Sequence, residues 1–173
     1  DLSIIFELYW KMDGKNCTVL IHNNHLKYWG VEPEELLARA KENTPRLLPA
    51  KFDAVDRLFC SVANPVEIAN WWEHKRWENL WMYFLSNQAY FHGAAAVLYE
   101  GVLKKIADQI DSDLIVLPSS THEVLLIPSR LWPDADGFAE LIQDINQTQV
   151  EEEEWLSDHP YRYLRETDQL VAA

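Results

Sequence analysis

A chain of 173 residues with 48% hydrophobic and 25% charged side chains can bury a core and is too apolar to be disordered. A net charge of −13 argues against a surface built for nucleic-acid phosphates or anionic lipid, both of which need clustered Lys and Arg, and suits solubility instead. No apolar run reaches the length of a membrane span.

Two cysteines, Cys17 in NCTVLI and Cys60 in RLFCSV, lie in apolar stretches without metal-ligand spacing. They fit free thiols in a reducing compartment, so a cytoplasmic location is expected. The chain opens at Asp1 within a strand-like pattern, and further residues upstream are expected.

The first element is a β-hairpin. LSIIFELYW at 2–10 and CTVLI at 17–21 are strand-like runs joined through Asp13-Gly14, a strong turn signal. Alternation groups Leu2, Ile4, Phe6 and Leu8 on one face and Ser3, Ile5, Glu7 and Tyr9 on the other. Glu32-Pro33-Glu34-Glu35 then opens a helix, since proline fits the first helical position and carboxylates suit the positive end of the dipole. Its stripe is Leu36, Leu37 and Ala40, and Pro45 is expected to end it near residue 42. Residues 46–63 fit a strand or a short helix equally.

Asn64-Pro65 starts a helix over 65–79 that is crowded with tryptophan. Ile68, Trp71 and Trp72 share one face, while Trp77, Leu80 and Trp81 are rotated away from it, so one stripe cannot bury them all. Burial within the chain is one account of these rings. Contact with another protein through Trp71, Trp72 and Trp77 is the other.

Residues 81–85 form a strand, and 93–99 (GAAAVLY) fit strand or helix. The helical spacing of Val102, Ile106 and Ile110 gives a helix over 101–110. Strands at 114–117 and 122–127 flank PSSTH as a second hairpin. A helix at 137–146 turns Phe138, Leu141, Ile142 and Ile145 inward. Glu151–Glu154, a solvated acidic face, fronts a short helix, and Tyr161–Leu164 adds an edge strand. The expected architecture is one α+β domain over residues 1–173. Its mostly antiparallel sheet includes the N-terminal hairpin, and helices cover it.

The second half, with YFLSN at 83–87, HGAAAVLYEGVLKKIADQIDSDLIVLPSSTHEVLLIP at 92–128 and NQTQVEEEEWLSDHPYRYLRETDQL at 146–170, resembles the bacterial family DUF5688, common in Firmicutes. So do LSIIFELYW and VLIHNNHLKYWGVEPEELLARAKENTPRLLPAKF at 19–52. Thr121 stands where the family pattern has Ile, and the 71–81 segment is richer in aromatics than that pattern. The family has no assigned activity, so the resemblance implies a grouping and a bacterial cytoplasmic setting but no mechanism.

The candidate catalytic residues are Ser119, Ser120, His122 and Glu123, which together suggest a Ser–His–acid arrangement. If 120–127 is extended, Ser120 and His122 share a face with Val124 and Leu126, and Glu123 points away with Leu125 and Ile127. An acid for His122 must then come from elsewhere in the fold. There is no G-x-S-x-G elbow, and a hairpin turn bonded to its own backbone explains the same residues. His22 and His25 have a zinc-like separation but no second ligand pair, so no metal is assigned and no cofactor is implied. Two functions compete: a non-enzymatic interaction or regulatory module, and a small hydrolase or nuclease-like enzyme using Ser120 and His122.

Overall fold

The computed structural model describes residues 2–55, 82–118, 120–132 and 137–173. They form an α+β structure with two antiparallel sheets, one of two strands and one of six. The chain divides into two compact units, Asp1–Pro49 and Ala50–Ala173. The expected helix at 65–79, with Trp71, Trp72 and Trp77, lies outside the described residues, as do Cys60 and Ser119.

In the first unit, β1 (Glu7–Met12) pairs with β2 (Lys15–Leu20), with Leu8 opposite Val19 and Met12 opposite Lys15. Asp13 and Gly14 turn the chain with φ of 52° and 77°. Two successive positive φ values define the turn that matches strand twist, which is why Asp-Gly is favoured there. Among the described residues the hairpin forms its own two-stranded sheet, β1 pairing with β2, and does not join the six-stranded one as expected. The strand begins at Glu7, and the half-buried side is that of Glu7 and Tyr9, whereas Leu8, Trp10 and Met12 are exposed.

Helices α1 (Asn23–Trp29) and α2 (Pro33–Leu47) follow. Gly30 ends α1, and its N–H donates to the Leu26 carbonyl. Leu36, Leu37 and Ala40 are the half-buried stripe of α2. The helix runs on past the expected stop, through Pro45. Proline forfeits its N–H bond to residue 41 and crowds that carbonyl with its ring, yet the last turn is still closed by the Leu48 N–H on the Thr44 carbonyl at 2.8 Å.

The second unit is built on β3 (Ala50–Ala54), β4 (Tyr83–Asn87), β5 (Leu114–Leu117), β6 (Val124–Pro128), β7 (Tyr161–Leu164) and β8 (Gln169–Ala172). Their order is β3-β4-β6-β5-β7-β8, every pairing antiparallel. Residues 50–54, left open by the sequence, are thus a strand, and the edge expected at Tyr161–Leu164 is taken instead by β8.

The period of two divides the sheet cleanly. Leu85, Leu114, Val116, Val124, Leu126 and Tyr163 face a 3-10 helix (Gly93–Leu98) and α3 (Val102–Ile110), which contributes Leu103, Ile106 and Ala107. Ile115, Leu117 and Ile127 face α4 (Phe138–Gln149), which contributes Phe138 and Ile142. Each such aliphatic side chain buried from water stabilises the fold by about 1.5–3 kcal/mol before entropy is counted.

Two core tyrosines tie this unit to pH. Burial pushes the Tyr99 phenol up to about 12 from 10.0. Burial and the hydrogen bond to Asp168 raise Tyr163 as well. The unfolded chain therefore loses these protons first, and stability falls as pH rises from about 10 through 12. Urea midpoints measured from pH 8 to 12 should drop across that window. Tyr99→Phe should remove a share on the order of 2–3 kcal/mol.

Candidate functional site

The polar cluster sits where the β5–β6 connection meets the end of β4 and the short 3-10 turn Glu152–Glu154. Strand β6 begins only at Val124, not at 122 as expected, so Ser120–Glu123 is a turn and the alternation of faces does not reach it. Ser120 and Glu123 consequently meet. The Ser120 hydroxyl donates to Glu123 Oε1 at 3.0 Å and accepts from the His122 backbone N–H at 3.1 Å. The Ser120 N–H donates to the Glu123 carbonyl at 3.3 Å. Ser120 is buried, with 4% of its surface exposed.

The His122 ring is engaged on other partners. Its Nδ1 accepts the backbone N–H of His92 at 3.1 Å. Its Nε2 lies 3.2 Å from Glu154 Oε1. Because Nδ1 receives a hydrogen, the neutral ring carries its own proton on Nε2 and donates it to Glu154. The carboxylate that meets the His122 ring is that of Glu154, and the ring stacks against His92 with centroids 5.6 Å apart. Ser120 meets the backbone of His122, while the imidazole nitrogens face His92 and Glu154.

Residues that the motif did not single out hold this arrangement. Ser86 Oγ donates to the His122 carbonyl at 2.7 Å. Asn87, fully buried at the end of β4, donates from Nδ2 to the Phe91 carbonyl at 2.7 Å. Its Oδ1 accepts the N–H groups of Ala89 and Phe91 at 3.0 and 3.3 Å. This side chain supports a turn in which Tyr90 and His92 both adopt positive φ, 50° and 46°. The left-handed conformation costs about 1–2 kcal/mol for each such residue, a cost the Asn87 bonds offset. Gly93 follows in close contact with Ser86, Asn87 and His122.

Glu154 is brought in by backbone as well as side chain, since its carbonyl accepts the Thr121 N–H at 2.9 Å. Glu151, Glu152 and Glu153 are exposed, as a solvated acidic run should be, whereas Glu154 is half-buried against His122. The expected helix there is a single 3-10 turn, Glu152–Glu154. A Ser86-Asn87 dipeptide and the fourth carboxylate of an acidic run carry no sequence signal for these roles.

The His22–His25 pair is local: the His22 N–H donates to His25 Nδ1 at 3.1 Å at the start of α1. Among the described residues no group of three metal-ligating side chains converges. No helix among them is long and apolar enough to cross a membrane.

No curated protein matches the chain, and no solved structure does. The model of a family of unknown function, DUF5688, matches residues 1–165, and the chain therefore belongs to that family.

Proposed function

We propose that this protein is a non-enzymatic interaction or regulatory module of the cytoplasm. The observation that carries the reading is the exposed apolar face of the hairpin. Leu8, Trp10, Met12 and Val19 are all open to solvent, with Leu8 directly opposite Val19. A two-stranded sheet cannot bury its own apolar face, and contiguous exposed patches of this kind mark contact surfaces. Trp71, Trp72 and Trp77 are proposed to contribute to the same kind of contact, with another protein as partner.

The engagement of the polar cluster supports the same reading over a hydrolase. A serine nucleophile needs its hydroxyl proton aimed at an imidazole nitrogen. Here the Ser120 hydroxyl donates to Glu123 and the His122 nitrogens are bonded to His92 and Glu154. A free thiol at Cys17 suits the cytoplasmic assignment.

A photo-crosslinking residue placed at position 10 or 72 in the source cells should trap a discrete protein adduct, while position 158 should not. Folded protein treated with a fluorophosphonate should keep its mass. Absence of adducts at 10 and 72, together with a phosphonylated Ser119 or Ser120, would overturn the proposal in favour of the hydrolase.

A further inference from the structure

We propose that His122 is a proton-operated clamp, which releases the His92 backbone N–H, at the end of the turn at 88–92, on acidification while keeping its hold on Glu154. Histidine is the side chain that gains a proton in mildly acidic solution. In the neutral ring Nδ1 accepts the His92 backbone N–H and Nε2 faces the Glu154 carboxylate. The two ring nitrogens therefore hold two separate segments, one ahead of the Gly93–Leu98 helix and the other at Glu152–Glu154.

Protonation acts oppositely on the two sides. A proton added at Nδ1 points at the His92 N–H, so two donors face each other and that hydrogen bond cannot exist. The Nε2–H bond to Glu154 becomes charge-assisted and strengthens. Neutral His122 bridges both segments; charged His122 holds one.

The residue whose N–H is freed, His92, is itself bent against its preference, with positive φ, as is Tyr90 two residues before it. Its near end stays anchored by Asn87 through Ala89 and Phe91. Its far end stays anchored by the Ala94 N–H on the Thr121 carbonyl at 3.1 Å. The Tyr90 N–H stays on the Asn87 carbonyl at 3.0 Å and the His92 carbonyl keeps the Ala95 N–H at 3.3 Å, so the change is confined to the His92 N–H and its link to His122. The titratable groups around the clamp are Glu154 from the 3-10 turn, the His92 ring stacked on His122, and Glu123 within the same turn, whose carboxylate receives Ser120.

The test is amide hydrogen exchange on the full chain from pH 8 to 5, expressed as protection relative to the unfolded peptide, with ring protonation of His122 followed by its nitrogen chemical shifts. Protection of the His92 amide should fall about tenfold as the His122 ring becomes charged, the size expected for one lost hydrogen bond. His122→Asn keeps an acceptor near the position of Nδ1 and cannot titrate, so its His92 amide should show no such fall. His92→Asn tolerates positive φ and removes the neighbouring ring, and its response should match the parent chain. Unchanged His92 protection across complete protonation of His122 would overturn the clamp. So would loss of the response in His92→Asn, which would assign the titration to His92. If His122→Asn does not fold, the parent chain and His92→Asn still decide the matter.

Discussion

Gly93→Ala is expected to destabilise the Ala50–Ala173 unit by about 3 kcal/mol or more, the upper end for overpacking. A methyl group at that position would lie 2.1 Å from Ser86 Oγ, 2.4 Å from the His122 carbonyl oxygen and 2.8 Å from the Asn87 backbone nitrogen. The serine hydroxyl can rotate, at the loss of its bond to His122. The other two atoms are backbone, and they belong to β4 and to the β5–β6 connection, so relief requires moving one segment against the other. Gly101→Ala is the control. It has positive φ but nothing within 4 Å of the added carbon, so only backbone strain of about 1–2 kcal/mol is expected. Urea unfolding of the two variants should separate them clearly, and a Gly93→Ala protein as stable as the Gly101→Ala one would contradict the close packing.

Asn87→Ala should cost about 2–4 kcal/mol, since it removes three hydrogen bonds at once and leaves their backbone partners to find water or nothing. The side chain is fully buried, and its bonds run to Ala89 and to both backbone groups of Phe91. Without it the positive-φ turn at Tyr90 and His92 loses its main support. The loss should appear as a lower urea midpoint accompanied by weaker protection of the Ala89 and Phe91 amides. A variant with parental stability would mean that the turn is held by something other than Asn87.

These predictions concern residues the sequence hardly marks. What alternation and helical spacing could convey, they conveyed. Leu114–Leu117 and Val124–Pro128 pair as an antiparallel hairpin, and the spacing of Val102, Ile106 and Ile110 gave the helix, whose fully buried side is Ile106 with Leu103 and Ala107 while Val102 and Ile110 are half-buried. Periodicity works there because burial of one face is a local demand repeated along the chain. It failed at the N-terminal hairpin, where alternation gave the strands but could not say that Leu8 and Trp10 would be exposed or that the two strands would form a sheet of their own. It failed at Pro45, where the helix continues two residues further to Leu47 and is closed by the Leu48 N–H on the Thr44 carbonyl, a tertiary outcome that the local penalty of proline does not foretell.

The candidate site was legible only as a cluster. Extending the strand period through Ser120–Glu123 separated Ser120 from Glu123, yet the turn brings them within 3.0 Å. Glu154 lies 32 residues beyond His122, a contact that only the paired strands and the 3-10 turn create. Positive φ at Tyr90 and His92 is invisible too, since neither residue advertises it as glycine would.

The central claim is that His122 is a structural junction joining the segment at His92 to the turn at Glu154. The most direct measurement is the unfolding free energy of His122→Ala against the parent chain. The junction predicts a loss of about 1–3 kcal/mol, because two buried or half-buried partners lose their bonds together. An unchanged unfolding free energy would contradict it and would return His122 to the role of a residue kept for chemistry.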